Sequence, residues 1–229
     1  AWNRRADFVF EIEPVATSLT RAKALDDGPV ILVDHGDNCG AGGPQDNMEV
    51  LEEVLRLGFE DMAAGPIWDP DSVARMIDAG VGAEVTLQLG GKTDSPAMAL
   101  PGRPIPVSGT VRCITDGRFV VTGPMATGSP MNMGRTAVLR TGSVDIVVSE
   151  RRHEPFDTGC FTHAGIDPAA KRYVLIKSRQ HFRAGFDPIA KHVVLVAGPG
   201  VCSSDYAAFP FKNLRRPVYP LDLDASRNA

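Results

Sequence analysis

The chain has no large basic surplus, no long apolar run and no paired-cysteine motif. Its 24 Lys and Arg stand against 28 Asp and Glu, for a net charge of −4. That argues against a nucleic-acid partner, because few cations are left over to neutralise phosphates. No apolar stretch approaches the roughly 20 residues of a membrane-spanning helix, so no membrane partner is expected. Cys39, Cys113, Cys160 and Cys202 are far apart in the sequence and form no CxxC pair. Neither a disulfide framework nor a zinc–thiolate site is expected from them, and four free thiols fit a reducing cytoplasm. Also missing are HExxH, GxGxxG and the P-loop pattern. No signal peptide opens the chain, and it begins at Ala1-Trp-Asn-Arg-Arg without a Met, which reads as a fragment or a trimmed form.

What is present is an ordinary globular composition over 229 residues, 43% hydrophobic and 23% charged, enough for one large domain or two small ones. Helical character is expected over 1–24, with Pro14 opening a helix that carries Val15, Leu19, Ala22 and Leu25 on one face. Val30 to Val33 is a short, mostly β-branched run of the kind found in buried parallel strands. A helix follows from about Met48 to Leu57, then a strand between Phe59 and Ile67. Asp69-Pro70 reads as an N-cap with a first-turn proline, opening a helix with Val73, Met76 and Ile77 inward. Ala83 to Leu89 alternates as a strand. This order predicts an α/β fold with a mainly parallel sheet flanked by helices.

The middle of the chain changes character, and an antiparallel hairpin extension is expected there. Thr93 to Pro106 reads as loop. Val107 to Ile114 and Arg118 to Thr122 flank Asp116-Gly117, a strong hairpin turn signal. Met125 to Gly134 reads as loop, and Thr136 to Arg140 with Val144 to Ser149 as a second strand pair. An internal echo then relates Asp167-Pro-Ala-Ala-Lys-Arg-Tyr-Val-Leu-Ile to Asp187-Pro-Ile-Ala-Lys-His-Val-Val-Leu-Val. Each copy predicts a short capped helix feeding a buried strand.

Three polar loops would then follow parallel strands and share one edge of the sheet, where ligands bind in open α/β folds. They are Asp34 to Asp46, Lys177 to Arg183, and Gly198 to Asp205. In the first, Asp46 and Glu49 have the spacing of a capping box. Asp34 and His35, adjacent on an extended strand, point to opposite faces and so do not converge on a metal. The loop glycines suit an anion cradle, but Asp34, Asp37 and Asp46 oppose one. Cys39 beside the glycines, and Ser178 near His181, are weak candidates for a nucleophile. Lys177, His181 and Arg183 suit either binding of a carboxylate or a salt-bridge network that pins the loops.

Several segments together resemble the microcystinase C (MlrC) family. Asp37-Asn-Cys-Gly-Ala-Gly-Gly-Pro-Gln-Asp-Asn47 is similar to that family's DNxGGGAPGDNT loop. Also similar are Ala79-Gly-Val-Gly-Ala83 running on to Leu89-Gly-Gly-Lys92, Lys177-Ser-Arg-Gln-His-Phe-Arg-Ala184 and Arg216-Pro-Val-Tyr-Pro-Leu-Asp222. Their order matches the family's C-terminal domain over nearly the whole chain. Ala41, Gly43, Gln45 and Met48 depart from the pattern. The resemblance implies a two-domain, zinc-dependent peptidase or amidohydrolase. Its zinc ligands, an acidic residue, an Asp-x-His pair and a further His, lie in an N-terminal domain absent from this sequence.

On that reading residues 1–28 form a linking helix from the missing domain and 29–229 the C-terminal α/β domain. The chain supplies no metal ligand and no catalytic residue, and needs no cofactor alone. Its partners are the N-terminal metal-binding domain and a peptide-like small-molecule substrate, with a homo-oligomer possible. Asp34, Asp37, Asn38, Gly40, Lys177, His181 and Arg183 are the substrate-facing candidates. The competing readings are a stand-alone anion- or nucleotide-binding domain using the Gly-rich loop, and a non-catalytic interaction module that self-associates through an exposed apolar patch.

Overall fold

A computed structural model describes residues 1–225. The chain runs through a 3₁₀ segment, Trp2–Phe8, an extended stretch, and α1 (Val15–Lys23). Pro14 lies just outside α1 at its N-cap. The mostly helical start expected over 1–24 is therefore interrupted between residues 8 and 15. Leu19 and Ala22 of α1 are fully buried.

Then come β1 (Val30–Asp34), α2 (Glu49–Arg56), β2 (Met62–Trp68), α3 (Pro70–Ala79), β3 (Glu84–Leu89) and β4 (Ile105–Thr115). β5 (Arg118–Val120), β6 (Pro130–Asn132), β7 (Thr136–Thr141) and β8 (Val144–Ser149) make the middle of the chain. It closes with α4 (Gly159–Thr162), β9 (Tyr173–Ile176), α5 (Arg183–Phe186) and β10 (His192–Val196).

The main sheet has eight strands in the order β10-β1-β9-β2-β8-β7-β4-β3. β10, β1, β9, β2 and β8 are parallel neighbours, and β7, β4 and β3 extend the sheet by antiparallel pairing. This is the α/β class expected from the residue pattern. β1 has strands on both sides and a helical layer over each face, and all five of its residues are buried. Alternation divides them between two cores. Val30 and Leu32 face a core shared with α1, α2 and α3, whereas Ile31 and Val33 face one built on Phe161, Phe182 and Phe186. At about 1.5–3 kcal/mol per large buried apolar side chain, these two faces fix β1 in place and with it the loop that follows.

Two expectations are corrected in the middle of the chain. β4 does not fold back on β5 through Asp116-Gly117; it pairs with β3 and β7. β5 instead pairs with β6 in a separate two-stranded ribbon, so part of 125–134 is strand and not loop. The turn chemistry at Asp116-Gly117 is satisfied locally, with Arg118 N donating to Asp116 Oδ1 at 3.1 Å. The partner was set by tertiary packing, since Phe119 is drawn against the second core. The Thr141-Gly142 turn does join paired strands, β7 and β8.

The echo holds for its strands. β9 and β10 lie on either side of β1. Its helical half holds once: Asp167 caps the 3₁₀ turn Pro168–Ala170 by accepting from Ala169 N at 2.9 Å. Asp187 instead closes α5 from the C-terminal side.

Candidate functional site at the carboxyl edge of the sheet

Because β1, β9 and β10 are parallel neighbours, the loops after them share one edge of the sheet, as the sequence suggests. Their crossing is close. A Cβ on Gly36 would stand 1.9 Å from the Gly198 carbonyl oxygen, so only glycine lets these two backbones touch.

The edge is tied together by one buried ammonium. Lys177 Nζ donates to Asp34 Oδ2 at 2.7 Å and to the Asn47 carbonyl at 2.6 Å, and lies 3.0 Å from Asp37 Oδ2. Residue exposures are 2% for Lys177, 1% for Asp34 and 0% for Asp37. Burial alone would favour a neutral Lys177, but the Asp34 and Asp37 carboxylates outweigh it and hold its pKa above the ordinary lysine value. Of the two readings open for Lys177, the network that pins loops is the one the geometry gives. Asp34 and His35 diverge as expected: His35 turns to Phe10, with ring centroids 5.0 Å apart, and to Ser204.

Asp37 organises the rest of its loop. Oδ1 accepts from Gln45 N and Oδ2 from Asn47 N, both at 2.8 Å. Asn38 Oδ1 caps the short turn Cys39–Ala41 by accepting from Gly40 N at 2.9 Å. The amides of Gly40, Gln45 and Asn47 therefore already have side-chain acceptors and are not free to cradle a phosphate. The expected capping box is also corrected. Asp46 turns away from Glu49 and accepts from Lys92 N and Thr93 N at 2.9 Å. Asn47 Oδ1 takes the Glu49 amide instead, at 3.0 Å.

The solvent side of the edge is a different cluster. Glu154, in the loop after β8, accepts from Ser178 Oγ at Oε1 and meets His181 Nδ1 at Oε2, each at 2.9 Å. The Glu154 side chain is 10% exposed and that of His181 55%. Gly40 sits directly under the carboxylate: a Cβ there would fall 1.8 Å from Glu154 Oε2. Arg183 is not part of this cluster. It lies exposed at the start of α5 and bonds Gln180 and Asp187.

The structure thus brings Asp34, Asp37 and Lys177 together in the interior and Gly40 and His181 together at the surface, with Asn38 between them along the loop. Arg183 stands apart. Neither thiol nor hydroxyl is set up as a nucleophile. Burial and the nearby Glu154 and Asp37 push the Cys39 thiol up to about 12, and Ser178 is buried with its hydroxyl committed to Glu154. Sequence reasoning missed Glu154 and also Gln45, whose amide exchanges two hydrogen bonds with the His153 backbone. The signal was available in principle. Glu154 follows β8, and had β8 been taken as parallel to β1, its loop would have counted as a fourth at this edge.

Among the described residues no three or more His, Cys, Asp and Glu side chains are grouped to hold a metal ion. Asp34 and Asp37, the nearest carboxylate pair, already surround an ammonium. The donor set at this edge does not fit a metal.

A mixed, mainly parallel sheet with polar loops gathered at its carboxyl edge defines an α/β domain. A solved structure described as "Putative metallopeptidase", from Mesorhizobium sp. BNC1, superposes with a TM-score of 0.80 at 28% identity, over 96% of this chain and 43% of that one. The chain belongs to the family of the MlrC C-terminus, whose model matches residues 32–213. It is 34% identical over 207 residues to Microcystinase C of Sphingomonas sp., covering 90% of this chain and 38% of that protein. The chain thus spans about two fifths of the length of that curated relative.

Proposed function

We propose that this chain is the C-terminal, substrate-facing domain of an MlrC-like zinc-dependent peptidase or amidohydrolase, with the metal held by a separate domain. The observation that carries this reading is the division of the carboxyl edge into two layers. Beneath lies a closed Asp34–Lys177–Asp37 knot that ties the loop after β1 to the loop after β9, and above it His181 and Gly40 face solvent around the nearly buried Glu154, with no metal ligand set among the described residues. Rigid backbone under exposed polar groups is how a scaffold presents side chains to a ligand. The names of the relatives, Microcystinase C and a metallopeptidase, support the peptidase class. Their greater length supports a companion domain that carries the zinc.

An apolar surface supports a partner as well. Phe8 is 77% and Tyr206 47% exposed. They lie with Trp2, Val9 and Tyr219 along one shallow cavity beside the N-terminal turn. In the assembled enzyme this face would be covered by the companion domain, and a peptide-like substrate would lie between the metal and His181.

The test compares the isolated chain with the same chain joined to an MlrC-type metal-bearing domain, each assayed with zinc on a peptide amide. The joined form is expected to hydrolyse the peptide and the isolated chain to remain at the blank rate. Zinc-dependent hydrolysis by the isolated chain would overturn the reading.

A further inference from the structure

The sequence left His181 as one polar residue among several and gave Glu154 no role. The structure makes them a pair. A carboxylate oxygen only accepts, so at 2.9 Å from Glu154 Oε2 the His181 Nδ1 carries the hydrogen. Ser178 Oγ, buried, donates to the other oxygen at 2.9 Å and stops the carboxylate from turning. Gly40 supplies the space in which the carboxylate lies. The loops after β1, β8 and β9 thus meet to hold one imidazole in one tautomer. Its Nε2 has no hydrogen-bond partner among the described residues, and the side chain is 55% exposed.

Most charged pairs on this surface are local along the chain or join long flexible side chains, such as Arg183 with Asp187 and Arg56 with Glu53. The His181–Glu154 pair differs. Its acceptor is nearly buried, is fixed by a second donor, and lies over a glycine that a side chain would displace. Orientation of an imidazole by a carboxylate at Nδ1, with Nε2 left to act, is the arrangement that general acid–base chemistry needs.

We propose that His181 is a general acid for the amide cleavage proposed above, and that Glu154 is its positioning residue; this inference rests on that reading of the domain. Water adds its oxygen to the carbonyl carbon and the C–N bond breaks. The departing nitrogen takes the proton from Nε2 of the imidazolium. The ring is left neutral with Nδ1–H still donated to the Glu154 carboxylate. The proton given up by the attacking water passes to solvent and solvent reprotonates Nε2, which restores the imidazolium, so the sum is amide plus water to acid plus amine.

The experiment uses the assembled, zinc-loaded enzyme with two substrates of the same acyl part, one an alkyl amide and one a p-nitroanilide. Removing a general acid hurts the poor leaving group most. H181Q is expected to lower kcat on the alkyl amide by on the order of 100-fold and much less on the anilide, with KM nearly unchanged. E154Q keeps both hydrogen-bond contacts but loses the charge, and is expected to lower kcat on the alkyl amide by about 10-fold. In parallel, nitrogen-15 NMR of the isolated chain should show His181 with Nδ1 protonated, and E154Q should mix the tautomers.

Equal losses on both substrates, or a loss in KM alone, would reduce His181 to a binding or structural group and overturn the proposal. So would a His181 ring with Nε2 protonated and Nδ1 bare. No hydrolysis by the assembled wild type would remove the parent reading, and this role with it. Active wild type with unaffected variants would remove this role alone.

Discussion

Two buried carboxylate clusters stand at opposite ends of the sheet and follow opposite plans. At the carboxyl edge a single ammonium, Lys177, serves Asp34 and Asp37, and all three are shut off from water. At the amino edge a single carboxylate, Asp145 at the start of β8, is met by Arg112 and Arg140 at 2.8 Å and by Lys171 at 3.3 Å. Asp145 is itself buried, but those cations keep side-chain exposures of 35%, 43% and 16%. Burial pushes the Asp145 carboxyl up, yet Arg140 and Arg112 outweigh it and hold its pKa below the ordinary range. The first cluster is sealed and has no spare cation, so losing Lys177 strands two carboxyl groups. The second is partly hydrated and redundant. A sealed knot fixes geometry, whereas a hydrated one staples strands and forgives change.

The sharpest way to break this comparison is Lys177→Met. Two carboxylates would remain buried without a counter-charge, and the expected cost is about 3–5 kcal/mol, read by urea unfolding. A loss under about 1 kcal/mol would show that water already reaches the knot.

Next in size is acid. Burial lowers the pKa of both His35 and His153 to about 4, and both follow strands at the carboxyl edge. Each imidazole is neutral when folded and protonates first in the unfolded chain. Their contribution is therefore intact above the unfolded value near 6.5 and is lost as pH falls towards 4, by up to about 3 kcal/mol apiece. Hydrogen exchange across that window should rise in the loops around Asp37 and Glu154 before it rises around Asp145. The reverse order would refute the assignment.

Asp145→Asn is expected to cost less, about 1–3 kcal/mol, because its cations can turn to water. The loss should shrink in high salt if the staple is hydrated as described. The smallest expected effect is Gly40→Ala, below about 1 kcal/mol of global stability, since the group displaced is the end of a flexible side chain. The His181 ring signal should nevertheless shift markedly. An unmoved His181 would mean that Glu154 does not depend on the space over Gly40.

In the parallel half of the sheet, β1, β9 and β10 were legible because they are short apolar runs and because the Asp167 and Asp187 segments repeat one pattern, whereas β8 read only as a partner of β7 although it also pairs in parallel with β2. The antiparallel half misled at Asp116-Gly117. A turn signal states where the chain bends but not what it pairs with, and Phe119 settled that through core packing. At the site, Asp34, Asp37 and Lys177 were visible as loop charges. That one ammonium holds both carboxylates was not, because it depends on β9 lying beside β1 and not elsewhere in the sheet. Glu154 stayed hidden for the same reason: its importance comes from Gly40, Ser178 and His181, none near it in the chain.

The strand order has a consequence for how the chain is made. Within this chain β1 precedes both of its neighbours, β9 and β10, with β2 to β8 lying between in the sequence. Until they arrive, a fully apolar strand ending in Asp34 has neither its ladder nor its counter-ion. Chains cut short before Lys177 should consequently be clients for chaperones.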